Sequence, residues 1–273
     1  MDAPYDRTFT GSLDGAYYTV TLALHVTAED TAASWGVFRA LNGAAIRDLR
    51  LAGELAAAED SPAKNVGALA GTVSGDTTVS GCRSEVQISV SSADSHVGGL
   101  AGSVTGGTLA LTGCGNVGAV KALNSAASGG LLGSVLSGSV TILRSYQSGD
   151  VLGGVCAGGL VGQLAEQAEC TASYSYAAVS ADDKENADAS ALTGWGEVKT
   201  VSGEKAGALC GQGTFSAESK ALFWSGKAFG TDAVPAGGQF EEMDTNTVLA
   251  ALNDGTAADD PNGFLLTAEN GGW

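Results

Sequence analysis

The sequence predicts an all-β protein, a right-handed parallel β-helix (β-solenoid) of about six rungs. Three observations predict it: a short glycine–leucine pattern that recurs at a near-constant interval, apolar columns that keep phase with it, and strand-like alternation between the copies. Of the 273 residues, 41 are Gly and only 4 are Pro. Such a composition suits a chain that turns tightly and often.

The recurring pattern places one apolar residue between small ones. Its copies are WGVFRA at 35–40, VGALAG at 66–71, VGGLAG at 97–102, SGGLLG at 128–133, AGGLVG at 157–162 and AGALCG at 206–211. The central residues are Phe38, Leu69, Leu100, Leu131, Leu160 and Leu209, separated by 31, 31, 31, 29 and 49 positions. A constant interval predicts that these side chains stack above one another inside a shared core.

Three further columns keep the same phase. The second column is Leu49, Cys82, Cys114, Ser145, Ser173 and Leu222. Three positions before it stand Ile46, Val79, Leu111, Ile142 and Cys170, and six positions after it stand Leu55, Ile88, Val120, Val151, Val179 and Ala228. Segments such as 108–114 alternate with the strand period, so we expect three short strands in each rung of about 31 residues.

The glycines that flank the central leucine have two structural explanations. They permit either a backbone turn with positive φ or the close approach of another segment. The spacing differs from that of a phosphate-binding GxGxxG loop, so the pattern does not predict a nucleotide site.

The ends of the chain are predicted to cap the solenoid. Residues 1–34 read as an N-terminal β cap, in which Phe9–Leu13 and Ala16–Val26 form a hairpin around Asp14-Gly15. Residues 35–230 form the solenoid, with a polar insertion at about 181–205. Residues 231–273 read as a C-terminal cap or linker with a short helix at Met243–Asn253, and we expect it to continue into a larger parent protein.

Charge and cysteine content exclude several classes of function. The net charge of −17 opposes binding to nucleic acid. The long uncharged runs are interrupted by polar residues every few positions, so this segment is not expected to insert into a membrane. The five cysteines show no zinc-site spacing, and Cys82, Cys114 and Cys170 fall in inward columns, which favours a role as small buried side chains. We expect a monomer.

These residues resemble the GLUG-motif repeat family of bacterial secreted and surface proteins. The matches are GLAG at 99–102, GLLG at 130–133 and GLVG at 159–162, with ALAG at 68–71 and ALCG at 208–211 as variants. The segment FTGSLDGAYYTVTL is similar to the one that precedes such repeats. The resemblance covers roughly residues 8–230. It implies an extracellular location at the bacterial cell surface and an adhesin-like role.

No catalytic motif is present in the sequence. It contains neither GxSxG nor HExxH, so we predict a non-enzymatic binding or spacer module. The alternative is a carbohydrate-active protein that binds or cleaves polysaccharide. Cleavage would require carboxylates on the same face of adjacent rungs, whereas the regular rungs hold few: Glu85, Asp94 and Asp150.

Two groups of residues are candidates for ligand contact. Tyr146, Tyr174, Tyr176 and Trp224 follow the second column closely, and Trp195 lies in the insertion. An exposed ladder of these rings would suit a glycan or protein of a host or neighbouring cell; the alternative is packing between rungs. Asp182, Asp183, Glu185 and Asp188 form an oxygen-rich cluster that predicts either a Ca²⁺ site or a solvated acidic loop. No other cofactor is expected.

Overall fold

The structure is a computed structural model. It describes residues 1–177 except residue 2, and 181–182, 201–202, 206–207, 209–213, 215–223, 230 and 238–242. Throughout these residues the regular secondary structure is β-strand.

The first twelve described strands are β1 (Tyr5–Phe9), β2 (Ser12–Asp14), β3 (Thr19–Val26), β4 (Ser34–Trp35), β5 (Phe38–Asn42), β6 (Ala45–Arg47), β7 (Arg50–Ala57), β8 (Asn65–Gly67), β9 (Ala70–Ser74), β10 (Thr77–Ser80), β11 (Arg83–Ser84) and β12 (Gln87–Val90). The next nine are β13 (His96–Gly98), β14 (Ala101–Thr112), β15 (Gly115–Asn116), β16 (Val120–Lys121), β17 (Ala127–Gly129), β18 (Leu132–Leu143), β19 (Tyr146–Gln147), β20 (Val151–Leu152) and β21 (Ala157–Gly158). The remaining ones are β22 (Val161–Leu164), β23 (Ala168–Ala177), β24 (Ala181–Asp182), β25 (Val201–Ser202), β26 (Ala206–Gly207), β27 (Cys210–Gln212), β28 (Lys220–Phe223) and β29 (Gln239–Glu242).

The strands stack in parallel, each on its equivalent in the next turn. One sheet runs β4-β8-β13-β17-β21-β26, and its register pairs Ser34 with Asn65, Asn65 with His96, and His96 with Ala127. The last two steps pair Ser128 with Ala157 and Ala157 with Ala206. The steps of 31, 31, 31, 29 and 49 match the sequence repeat. The predicted parallel β-solenoid is therefore confirmed, with about five turns.

Each turn is divided more finely than the three strands expected. The turn that begins at Asn65 contains five short strands, β8 to β12. In the following turn the segments equivalent to β9 and β10 join into the continuous β14, and in the preceding turn those equivalent to β11 and β12 join into β7. The short bends that divide the strands change from turn to turn, while the stacking register persists.

The inward columns are those that the repeat predicts. Leu69, Leu100, Leu131, Leu160 and Leu209 are each at most 2% exposed, and Phe38 is 5% exposed. Strand pairing places Phe38 opposite Ala70, one position beyond Leu69, although the Phe38 amide still donates to the Leu69 carbonyl. The other columns are at most 3% exposed where the structure describes them, at Leu49, Cys82, Cys114 and Ser145, at Ile46, Val79, Leu111, Ile142 and Cys170, and at Leu55, Ile88, Val120 and Val151.

Close approach of two backbones explains the glycine that ends five of the six copies of the pattern, all but the one at 35–40. A Cβ at Gly102 would lie 2.4 Å from the Val66 amide nitrogen, and one at Gly133 would lie 2.5 Å from that of Val97. Neither glycine has a positive φ. Because the sheet that contains β8 and β13 passes directly against β14 and β18, only glycine fits between them.

The predicted N-terminal hairpin is wrong. β1, β2 and β3 run parallel to β5, β6 and β7, so this segment forms a further turn of the solenoid. The residues after Asp14 bond to the next turn, since the Gly15 amide donates to the Arg47 carbonyl and the Tyr17 amide to the Asp48 carbonyl. The apolar alternation in β3 fits a parallel partner as well as an antiparallel one, because both place alternate residues inward.

The insertion begins within a stacked column. β24 pairs with β20 on one side and with β25 on the other, so the strands that end at Asp182 and begin at Val201 stack on each other. Residues 183–200 lie outside the described residues, as does the helix predicted at Met243–Asn253. No helix within the described residues is long and apolar enough to span a membrane.

Candidate functional site

One outward column of the solenoid carries charged and aromatic residues. Strand register stacks Arg50, Arg83, Gly115 and Tyr146 on successive turns. The residue that follows each of them points inward: Leu51, Ser84, Asn116 and Gln147 are at most 1% exposed. Since successive side chains of a strand point to opposite faces, the first set faces away from the core.

Tyr146, a member of the predicted aromatic ladder, packs against the turn below it. The ring covers Gly115, where a Cβ would lie 2.3 Å from the Tyr146 Cζ atom, and Tyr146 is only 8% exposed. Burial raises the pKa of the Tyr146 hydroxyl. The arrangement corresponds to packing between rungs, and it leaves little of the ring available to a ligand.

The other predicted ligand residues fall outside what the structure describes. Backbone register pairs Tyr176 with Tyr146, but the side chains of Tyr174 and Tyr176 lie outside the described residues. Trp195 and Trp224 lie outside them too, as do the Asp182 side chain, Asp183, Glu185 and Asp188. Their ligand and calcium roles stay predictions. Within the described part of the chain, no group of three or more His, Cys, Asp or Glu residues is arranged to hold a metal ion.

The first turn contains a strained segment that presents two tyrosines to solvent. Ala16 and Tyr17 have φ values of 45° and 61°, a region that costs a residue with a side chain about 1–2 kcal/mol. Asp14 Oδ1 accepts the Ala16 amide at 2.9 Å, and the Tyr18 amide donates to the Gly15 carbonyl at 2.7 Å. The Tyr17 and Tyr18 residues are 47% and 77% exposed. Both φ values are those of a tight turn closed by the bond from Tyr18 to Gly15, a conformation that residues other than Gly, Asn and Asp rarely adopt.

Arg50 lies beside both tyrosines. Its guanidinium carbon is 5.9 Å from the centre of the Tyr17 ring, and its amide donates to the Tyr18 carbonyl at 3.1 Å. Two other arginines nearby are paired: Arg47 Nη2 is 2.6 Å from Asp14 Oδ2, and Arg83 Nε is 3.2 Å from Glu85 Oε1. Among the ion pairs of the described residues, none involves Arg50. We call Tyr17, Tyr18, Arg47, Arg50 and Arg83 the tyrosine–arginine corner.

This corner carries hydroxyl and guanidinium donors beside aromatic faces. Desolvation and the Asp48 carboxylate, which accepts a hydrogen bond from the hydroxyl, raise the pKa of Tyr17. The hydroxyl, protonated at neutral pH like that of any tyrosine, is thus engaged by Asp48 while the ring lies beside Arg50. Exposed aromatic faces next to a guanidinium recognise flat or anionic ligand groups. The sequence signal was the pair Tyr17-Tyr18 placed before the alternation that starts at Thr19, and the expected hairpin obscured it.

The cysteines behave as buried packing residues. Cys82 and Cys114 stack on adjacent turns, where their thiols donate to the neighbouring carbonyls of Ser80 and Val79. The hydrogen bond between the two thiols lowers the pKa of Cys82 and, together with burial, raises that of Cys114, and burial raises the pKa of Cys170. All five cysteines are buried and free of disulfides. Buried, inaccessible thiols are poor nucleophiles.

Comparisons with known proteins identify a distant structural likeness. No family model and no curated protein matches the chain. Among solved structures, it is similar to a candidate immunoglobulin A1 protease from Bacteroides ovatus, with 15% identity and a TM-score of 0.49, over 88% of this chain and 71% of the other. The protease description belongs to that protein, and a likeness at this level does not extend it to this chain.

Proposed function

We propose that this chain is a non-enzymatic module of an extracellular bacterial surface protein, which binds a ligand with an adhesin-like role through the side of its solenoid. The observation that carries the proposal is the strained turn that exposes Tyr18. The turn holds Ala16 and Tyr17 at positive φ, which is unfavourable for these residue types, and it leaves the Tyr18 ring exposed to solvent. The resemblance to GLUG-motif repeats supports the extracellular location.

The solenoid itself supports a binding or spacing role. About five turns at ~4.8 Å give a stack roughly 24 Å long, and the register keeps equivalent outward positions in line along it. A rod of this kind presents a ligand surface that extends over several turns. It also holds that surface away from whatever precedes or follows it in a larger protein.

A glycan array tests this proposal directly. Purified protein is applied to immobilised host and bacterial glycans, with and without calcium, because the acidic cluster that begins at Asp182 remains a proposed Ca²⁺ site. We expect binding by the wild type, its loss in Tyr18→Ala, and its retention in Val155→Ala, which truncates another exposed apolar residue. Absence of binding to every glycan contradicts the proposal. Release of shortened sugar products would instead support the carbohydrate-cleaving alternative.

A further inference from the structure

The charge at the tyrosine–arginine corner differs from that of the molecule. The whole chain carries 30 acidic residues against 13 Lys and Arg, a net charge of −17. At the corner, three arginines lie beside two exposed tyrosines. Asp14 and Glu85 pair with two of these arginines and Asp48 hydrogen-bonds Tyr17, so three cations stand against three carboxylates and the corner is close to neutral. Arg50 remains as an exposed cation whose guanidinium stacks on a ring.

We infer that the corner binds an acidic glycan, with a sugar ring against Tyr18 and the carboxylate or sulfate of that glycan on the Arg50 guanidinium. The inference rests on the proposed function and names its ligand class. A guanidinium presents a planar fork of N–H donors that matches the oxygens of a carboxylate or sulfate. A pyranose ring has a C–H face of the size and polarity that pack against a phenol.

The backbone brings the two residues together. The Arg50 amide donates to the Tyr18 carbonyl, so their backbones adjoin on adjacent turns, and both residues are exposed. Tyr17 is occupied, since it hydrogen-bonds Asp48 and stacks with Arg50, whereas Tyr18 is 77% exposed. Tyr17 thus orients the guanidinium, and Tyr18 offers the free aromatic face. The surrounding acidic surface disfavours approach of an anion elsewhere on the molecule.

The test uses glycans in matched pairs: oligouronates with their methyl esters, sialylated glycans with desialylated ones, and sulfated glycans with desulfated ones. A polyglutamate peptide is included as a second anionic polymer. We expect binding to at least one acidic member and not to its neutral counterpart. Arg50→Gln should weaken this binding by about tenfold or more, Arg50→Lys should weaken it less, and Arg7→Gln, an exposed arginine on β1, should leave it unchanged.

The possible results separate this inference from the proposed function. Equal binding to acidic and neutral partners, or wild-type affinity in Arg50→Gln, overturns the acidic-ligand assignment and leaves the binding module intact. Binding to polyglutamate alone overturns both the acidic-glycan assignment and the glycan binding expected of the proposed function, in favour of an acidic protein partner. Binding to no glycan overturns both proposals. Melting temperatures that match the wild type establish that the variants are folded. Higher salt should weaken glycan binding by the wild type more than binding by Arg50→Gln, because salt screens the charge of Arg50.

Discussion

At the scale of single residues, a buried side-chain hydrogen bond that forms in one turn is missing between the equivalent residues of the next turn. Ser103 Oγ donates to Asn65 Oδ1 at 2.8 Å. Strand register places His96 one turn beyond Asn65 and Ser134 one turn beyond Ser103. In the described structure, His96 Nδ1 and Ser134 Oγ are both buried without a hydrogen-bond partner. Two buried polar atoms therefore lack the bond that their equivalents form.

Replacing His96 by Asn should restore this bond. The His96→Asn variant copies Asn65, so we expect the free energy of unfolding to rise by about 1 kcal/mol, the usual net value of one buried hydrogen bond. Urea denaturation of the wild type and variant measures the change. The same substitution in a Ser134→Ala background is the control, because the partner is then missing. A gain of equal size in both backgrounds would show that the new amide does not bond Ser134.

The same histidine gives a pH dependence. Burial lowers the pKa of His96 below its ordinary value of 6.5, although nearby Asp94 opposes this effect. The unfolded chain then binds the proton more readily than the folded one, so stability falls as the pH drops through about 6.5. We expect the wild type to lose more stability than His96→Asn between pH 7 and pH 5, in parallel urea titrations. A constant difference between the two proteins across that range would contradict the depressed pKa.

At the scale of strands and turns, periodicity predicts stacking but not everything that stacking brings together. Leu69, Leu100 and Leu131 could be placed in one column from sequence because a solenoid repeats along a single direction. The direction of β3 could not, since apolar alternation is the same for parallel and antiparallel partners. The exposure of Tyr18 also escaped prediction, because it depends on the φ angles of Ala16 and Tyr17, residue types that rarely adopt them.

The close approach at the pattern glycines leads to a steric prediction. A Cβ in Gly133→Ala would lie 2.5 Å from both the Val97 amide nitrogen and the Gly102 carbonyl oxygen. Both atoms belong to the backbones of other strands, so the added methyl group can be accommodated only by shifting those strands. We therefore expect a loss of about 2–3 kcal/mol in unfolding free energy. Gly11→Ala is the control, since its nearest neighbour is a Phe9 ring atom at 3.4 Å. Equal stability of the two variants would show that the sheets can separate at no cost.

At the scale of the whole molecule, the described turns share a single hydrophobic core. The core cluster runs from Leu22 in the first turn to Leu209 and Phe215 in the last described turns. No turn can bury its own apolar face, because each is covered only by its neighbours. A defect in the middle of the stack therefore removes support from the turns on both sides. Loss of packing in one turn should then expose groups in the next.

Leu100→Asp tests this dependence at the centre of the stack. Leu100 is 1% exposed, and an unpaired charge at such a position costs several kcal/mol, enough to abolish a marginally stable fold. We expect loss of the cooperative melt, together with rapid alkylation of Cys82 and Cys114 on either side of it in sequence. Ser89→Asp, at an exposed position of β12, should melt like the wild type with its thiols protected. An unchanged melt in Leu100→Asp would mean that Leu100 faces solvent and that the stack is not one core.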